Sequence, residues 1–291
     1  MAEAGQVDLR STSRRQQADE WLLVLVSQGL SPTLSRVAHH YVVAVPFEES
    51  ERALAALSFF DLENISSPPE VPRVPASTWG WTVALGVTAA WLWFFVVTGD
   101  RHPDVAWFSR GSADAKLILG GELWRIVTAL TLHAGIGHVV GNALFGTLFL
   151  GAVFRILGPG LGGLMVLLAG SAGNLATALF YGSFHSSVGA STAIFGAIGL
   201  LGGHEVVARR REGKRKPQVW APAAAGLGLL AMIGMSERAD LIAHLMGLVA
   251  GGVFGLGQAI ALSRRPGVAG QWMLGGISVA VILSCWDAAL R

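Results

Sequence analysis

Residues 188–196 read Val-Gly-Ala-Ser-Thr-Ala-Ile-Phe-Gly, which places Ser191 at the start of a long apolar segment. The flanking glycines leave room for close approach of a neighbouring backbone or of a bound molecule. Alone, such a pattern is more typical of small residues that let membrane helices pack. His244 changes this interpretation, because it also lies near the start of an apolar segment. A serine and a histidine inside apolar segments suggest a nucleophile and its base.

The composition is that of a membrane protein. Hydrophobic residues make up 52% of the chain and charged residues 14%, and the mean hydropathy is +0.53. A soluble domain carries about a quarter charged residues. Cys285 is the single cysteine, so an intramolecular disulfide is excluded.

Residues 1–64 predict a small soluble α+β domain. We expect an amphipathic helix over 17–30, a short strand over 41–45 and a second helix over 48–60. No short apolar core of a signal peptide precedes them, so the domain is expected to stay in the cytoplasm. Residues 65–76 contain four prolines and predict an extended linker.

Apolar segments then recur at a length close to the about 20 residues that cross a bilayer as a helix. Seven are expected, at 79–98, 138–156, 161–181, 190–208, 219–235, 240–262 and 272–289. Basic residues are more frequent in the loops on the side of the N-terminus, which favours a cytoplasmic N-terminus. The sequence therefore predicts an all-α polytopic membrane protein.

In this orientation the second, fourth and sixth segments all run inward from the outer side. Each carries a polar residue in its first two turns: His138 and Asn142, Ser191, and His244 respectively. At a rise of 1.5 Å per residue, these side chains lie within about 10 Å of the outer surface. An unpaired polar group facing lipid costs several kcal/mol, so we expect the four to converge on a shared cavity.

Glycines supply the close packing that such a cavity requires. Gly247, Gly251 and Gly255 recur every four residues on one face of the sixth segment, and further glycines thin the fourth. Alone, such glycines more commonly mark a packing face without chemistry. Here the face continues from His244, which brings a hydrogen bond to Ser191 within reach.

Four features resemble the rhomboid intramembrane serine proteases. They are Trp124-Arg125, His133-x4-His138-x3-Asn142, Gly189-Ala190-Ser191 and Ala243-His244-x2-Gly247-x3-Gly251. Together they cover roughly residues 79–262. The resemblance implies a rhomboid-like six-helix bundle over 77–262, followed by one additional C-terminal transmembrane helix over 263–291.

The resemblance also implies roles for individual residues. Ser191 would be the nucleophile and His244 its general base, without an acidic third member. His138, Asn142 and the backbone N–H of Ser191 would stabilise the oxyanion. Phe195 lies one turn after Ser191, on the same helix face, and would stack against the base, although ordinary core packing is an equally good reading.

The remaining motif residues are expected to support the structure. Trp124 and Arg125 would anchor an interfacial loop in the headgroup region, and His133 would orient its neighbours. His133, His138 and His185 could be proposed as zinc ligands, but no carboxylate or cysteine completes a site. We therefore predict neither a metal nor another cofactor.

Thr192 departs from the family, which usually has glycine after the serine. Its β-branched side chain lies beside the nucleophile and keeps a second interpretation open, a catalytically inactive rhomboid-like protein that binds membrane clients. We expect its hydroxyl to bond a carbonyl of its own helix, which leaves the site competent. A transporter with broken helices would show an internal repeat, and none is evident.

The sequence thus predicts an intramembrane serine endopeptidase that cleaves transmembrane segments of other membrane proteins. It would be an integral multi-pass protein of a bacterial inner (cell) membrane with a cytoplasmic N-terminus. The expected partners are transmembrane protein substrates and the lipid bilayer, with no nucleic acid.

Overall fold

The structure is a computed structural model that describes residues 5–63, 79–102, 104–233, 240–262 and 264–291. The chain divides into two compact units, residues 1–71 and 72–291. The predicted linker at 65–76 lies outside the described residues.

The N-terminal unit is a three-stranded antiparallel sheet with two helices. Its elements are β1 (Gln6–Thr12), α1 (Arg15–Ser27), β2 (Thr33–Val37), β3 (His40–Pro46) and α2 (Ser50–Glu63). β3 is the central strand and pairs with both neighbours. Trp21, Leu25 and Leu57 from the helices pack with Val43 and Val45 of β3 in the core. The sequence pattern predicted the helices and β3 but not the edge strands. β1 is mostly half-buried and β2 mostly exposed, and neither carries a clear apolar alternation.

The second unit is almost entirely helical. Its elements are α3 (Gly80–Thr98), α4 (Ala106–Gly111), β4 (Ala113–Asp114), α5 (Ala115–Leu119), α6 (Arg125–Thr128), α7 (Ile136–Leu157), α8 (Pro159–Tyr181), β5 (Ser186–Ser187), α9 (Ser191–Arg211), α10 (Lys216–Ile233), α11 (Leu241–Ala261) and α12 (Val268–Leu290). A 3-10 turn, Ala129–Thr131, follows α6.

Six helices in the described part of the chain are long and apolar enough to span a bilayer: α3, α7, α8, α9, α11 and α12. The prediction of an all-α polytopic fold with a small N-terminal domain is confirmed. The fifth expected segment, 219–235, falls on α10, which is not one of the six. α10 begins with Lys-Pro-Gln, which lowers its apolar character, and residues 234–239 after it lie outside the description.

The helix boundaries follow from local chemistry. Gly158 has a φ of +83°, which favours glycine, and Pro159 then opens α8 at the position where a missing N–H costs nothing. Asp240 caps α11, because its Oδ1 accepts a hydrogen bond of 3.0 Å from the Ala243 N–H.

α9 and α11 pack backbone against backbone along most of their length. A Cβ added at Gly251 would collide with the Gly196 carbonyl oxygen, and one added at Gly255 would collide with that of Leu200. α9 is therefore the centre of the unit, with α7 and α8 also packed against it.

The described residues of the segment 99–135 fold into short elements between α3 and α7, and β4 pairs with β5 in a two-stranded ladder. Arg125 is only 4% exposed here and donates hydrogen bonds to the carbonyls of Ser109 and Ser112. Arg125 therefore bonds to carbonyls of its own loop, and its expected position in the headgroup region stays a prediction. The short segments leave carbonyl groups without helix partners, and a guanidinium with five donors satisfies several of them at once.

Candidate active site

Ser191 is the first residue of α9, and Gly189 two residues before it has a φ of +135°. Glycine is needed there because L side chains rarely adopt this conformation. The first N–H groups of a helix have no intrahelical partner and carry the positive end of its dipole. The backbone N–H of Ser191 is therefore a donor suited to a developing negative charge.

The ring of His138 lies directly against Gly189. A Cβ added at Gly189 would lie 2.5 Å from His138 Cε1, 2.8 Å from its Nε2 and 3.6 Å from the Ser191 hydroxyl oxygen. The glycine thus lets an α7 histidine approach the residue that opens α9. His138 and Ser191, for which the sequence predicted matching depths, therefore both lie next to Gly189.

The hydrogen bond at the other ring nitrogen defines what His138 offers to the site. Its Nδ1 accepts from the Ala134 N–H at 3.3 Å. In a neutral imidazole, a nitrogen that accepts leaves the proton on its counterpart. Nε2, on the side of Gly189, is then a donor.

His133 lies behind His138 and is fully buried. The two rings meet edge to face with centroids 5.5 Å apart, and Trp91 packs on His133 at 6.0 Å. Burial, reinforced by the neighbouring His138, lowers the pKa of His133 to about 3, so its ring is neutral at ordinary pH. His133 therefore contributes packing that fixes the His138 ring.

Asn142 lies on α7 one turn after His138 and is 5% exposed. Within the described residues its Nδ2 has no hydrogen-bond partner. Buried polar groups are paired in most proteins, so an unpaired amide donor marks a candidate binding position.

His244 lies on α11, one turn after its cap, and is nearly buried. Its ring stacks on Phe195 with centroids 4.6 Å apart and an interplanar angle of 26°. Three residues further along α11, a Cβ added at Gly247 would collide with the carbonyl oxygen of Thr192, the neighbour of Ser191. The glycine contact therefore holds the first turn of α11 against the first turn of α9.

Thr192 is buried between helices. A Cβ added at Gly173 of α8 would lie 2.7 Å from its methyl carbon, and one added at Gly247 would lie 3.1 Å from the same atom. The expected hydrogen bond from its hydroxyl to a carbonyl of α9 is absent from the described part of the chain. The two facing glycines leave a space that the methyl group fills, so packing determines the orientation of this side chain.

The sequence interpretation did not single out Asp240, and it considered His185 only as a zinc ligand. His185 Nε2 and Asp240 Oδ2 are 2.7 Å apart, and the His185 ring stacks on Tyr181 at 4.0 Å. Asp240 had a readable signal, an aspartate three residues before the first buried position of an apolar helix. Nothing in the sequence indicated that Asp240 pairs with His185, which is 55 positions away. The pair ties the loop before α9 to the start of α11.

Residues from several of these elements line one cavity beside the serine. They are Ala129, Asn174, Ser187, Val188, Gly189, Ser191, Thr192, Asp240 and Ala243.

The chain is similar to known proteins over the part that contains this site. The Rhomboid domain family matches residues 120–259, the stretch that holds every candidate site residue. The rhomboid protease GluP of Bacillus subtilis is 42% identical over 95 residues, which are 31% of this chain and 18% of GluP. A second Bacillus subtilis protein, named "Putative rhomboid protease YdcA", is 29% identical over 161 residues, 55% of this chain and 78% of that protein.

The similarity also extends to a relative without activity. Inactive rhomboid protein 1 of Drosophila melanogaster is 32% identical over 80 residues, 28% of this chain and 6% of that protein. Residues 120–259 thus form a rhomboid domain, and the chain is an integral multi-pass membrane protein. The alignment with GluP covers less than a fifth of that protein. The family domain ends at residue 259, so α12 lies outside it.

Proposed function

We propose that this protein is an intramembrane serine endopeptidase in which Ser191 is the nucleophile and His244 the general base. The observation that carries the proposal is the meeting of three elements at the start of α9. The His138 ring and the Ser191 hydroxyl oxygen both lie within 3.6 Å of the position that a Cβ would take on Gly189. The Gly247 contact holds the His244 turn against the same end of α9.

The chemistry follows from these positions. His244 takes the proton of the Ser191 hydroxyl, the oxygen attacks the scissile carbonyl carbon, and the carbonyl oxygen becomes an oxyanion. His244 then gives the proton to the leaving amine, and water hydrolyses the acyl-enzyme. Stacking on Phe195 keeps the imidazole plane fixed through both transfers.

Three donors are available for the oxyanion: the N–H of Ser191, the Nε2–H of His138 and the Nδ2–H of Asn142. Donors that are held in place before the reaction stabilise the transition state without reorganisation, and one such donor is worth about 2.7–4 kcal/mol. The packing of His133 on His138 supports this preorganisation.

The proposed substrates are transmembrane segments of other proteins within the lipid bilayer. A helix hides its scissile carbonyls in hydrogen bonds, so a substrate must unwind locally before Ser191 can reach it. The proposal includes a bacterial inner (cell) membrane, a cytoplasmic N-terminus, and no cofactor or nucleic acid.

The test is cleavage of a reporter transmembrane substrate by the purified full chain. Ser191→Ala and His244→Ala should each abolish cleavage while the protein stays folded, and the double variant should be no worse than either, because the two residues act as a unit. Ser171→Ala, a buried serine of α8 that is not among the residues lining the cavity, is the matched control and should cleave as the parent does. Full activity of a folded His244→Ala variant would contradict the mechanism.

An inactive client-binding protein is the second candidate, favoured by Thr192 at the position after the serine. It predicts that the parent fails to cleave and that Ser191→Ala binds membrane clients as well as the parent does. A fluorophosphonate that reacts with activated serines separates the two, since it should label the parent and not His244→Ala if Ser191 is activated.

A further inference from the structure

α12 lies outside the rhomboid match, and its outer end enters the folded segment 99–135. Trp286 is nearly buried there and meets Phe94 and Trp107 edge to face, with ring centroids 5.5 and 5.2 Å apart. A Cβ added at Gly111 would lie 2.5 Å from the Trp286 ring. An aromatic side chain of the appended helix is therefore inserted among residues that precede the site.

Trp286 also makes a directed contact with that segment. Its Nε1–H donates to the Thr131 hydroxyl oxygen at 3.1 Å, and this hydroxyl donates to the Thr128 carbonyl at 2.7 Å. A buried indole N–H usually has a partner, and this partner fixes the ring relative to the 3-10 turn Ala129–Thr131. The turn is thereby bonded to a residue 155 positions away.

The same turn is connected to the site on two sides. The Ala129 carbonyl accepts from the N–H of Gly189 at 2.9 Å, two residues before the serine. Beyond Thr131, the fully buried Leu132 packs in one cluster with Trp286, and His133 follows with its ring against His138. Movement of the turn would therefore displace both the residue before the nucleophile and the candidate oxyanion histidine.

The inner end of α12 is fixed independently. Gln271 Oε1 accepts from the N–H groups of Gly160 and Leu161 at 2.8 and 3.0 Å, and its Nε2 donates to the Leu157 carbonyl at 2.9 Å. These groups at the α7–α8 turn otherwise lack intrahelical partners. α12 is therefore attached to the rest of the unit at both ends by separate sets of hydrogen bonds.

We propose that Trp286 is a positioning residue for the site, through its hydrogen bond to Thr131 and the turn that joins Gly189 and His133. α12 is then part of the structure that supports the candidate active site. The expected effect of Trp286 on kcat rests on the proposed protease function. The expected effect of Trp286 on the 129–131 turn rests on the contacts alone.

The test uses the full chain with substitutions that remove either the donor or the acceptor of this hydrogen bond. Trp286→Phe keeps an aromatic ring and removes the donor, and Thr131→Val removes the acceptor at constant shape. Each should lower kcat about fivefold with a KM close to that of the parent, and the double variant should match the singles in kcat. Thr131→Val should keep the melting temperature of the parent, whereas Trp286→Phe also leaves a void beside Gly111 and should lower it. Thr131→Ser keeps the hydroxyl and should retain the parent's kcat.

Gln271→Ala is the matched control at the inner end of α12. It should lower the melting temperature without changing the kcat of the folded protein, because it does not touch the 129–133 turn. Amide hydrogen exchange gives a readout without activity: exchange of residues 129–135 should accelerate in Trp286→Phe and Thr131→Val but not in Gln271→Ala.

The inference is overturned if Trp286→Phe leaves either kcat or the exchange of residues 129–135 unchanged. A parent that cleaves no substrate overturns the proposed function instead. In that case the exchange pattern alone decides whether Trp286 holds the turn.

Discussion

Glycines form the contact between α9 and α11 and also the contact between α3 and α7, but they meet different partners. Gly251 of α11 faces the Gly196 carbonyl of α9, so backbone touches backbone. Gly146 and Gly151 of α7 instead receive the indole rings of Trp91 and Trp81 from α3. Of an 18-residue apolar stretch in each helix, 61% is buried inside the protein in α9 but only 17% in α3.

The difference shows where the protein can adjust. An indole ring can change rotamer when a neighbouring glycine is replaced by a larger residue, whereas a backbone carbonyl moves only with its whole helix. Ser191 and His244 lie on the two helices in backbone contact. The two residues of the proposed dyad are therefore held by the contact that adjusts least.

Gly251→Ala should have the largest effect. The new Cβ overlaps the Gly196 carbonyl, so α9 and α11 must separate, and we expect a loss of about 3 kcal/mol in the free energy of unfolding. Reversible unfolding of the purified protein in detergent measures this change. Gly252→Ala is the matched control, because the nearest atom to its added Cβ is 4.0 Å away. Equal stability of the two variants would show that the backbone contact is not rigid.

Thr192→Gly tests the same junction from the other side. Removing the methyl group that packs at Gly173 and Gly247 leaves a void, and glycine is a poor helix former, so stability should fall by about 2 kcal/mol. Cleavage should stay within about tenfold of the parent, or ~1.4 kcal/mol in the barrier.

Thr192→Val keeps the shape without the hydroxyl and should retain the stability of the parent. If the parent is inert and Thr192→Gly cleaves the reporter efficiently, the natural protein is a silenced relative.

Gly151→Ala should cost less, about 1 kcal/mol, because the Trp81 ring is 37% exposed and can swing away from the added Cβ. Chemical unfolding of the variant beside Gly163→Ala, whose added Cβ meets nothing within 4 Å, measures the difference. Trp81→Phe in the Gly151→Ala background should recover part of the loss. A loss as large as that of Gly251→Ala would remove the distinction between the two contacts.

Asp61→Asn extends the comparison to a side-chain contact in water. The Asp61 carboxylate accepts hydrogen bonds of 3.0 and 2.6 Å from Arg10, and this holds its pKa below the usual value. With a depressed folded-state pKa, the stabilisation is present above the unfolded value of about 3.9 and is lost as the pH falls through the folded value. The pair is solvent-screened, so the effect should be about 0.5 kcal/mol or less.

Amide exchange of residues 6–12 in the full chain measures this effect. Asp61→Asn should exchange slightly faster than the parent at pH 7, and the two should converge at low pH. A difference that grows toward low pH would contradict the sign.

Much of the site was readable in the sequence because its signals are local. Long apolar segments require helices in a bilayer, and one turn of helix places Phe195 on the face of Ser191 whatever surrounds it. The matching depths of His138, Ser191 and His244 likewise need only the helix rise and an orientation. The family motifs then gave each residue a role, and those roles remain predictions that the variants above test.

The sequence by itself determined the membrane class, the helical fold with its small N-terminal domain and the candidate residues, since burial of apolar segments and helix geometry depend on neighbours in the chain. Only the tertiary structure decided which polar groups pair. Trp286 with Thr131, His185 with Asp240, and Arg125 with two carbonyls all join distant positions, and many donors could have met each acceptor. The physical reason is that hydrogen bonds act over a few ångströms, so their partners exist only once the packing of the helices has brought distant parts of the chain together.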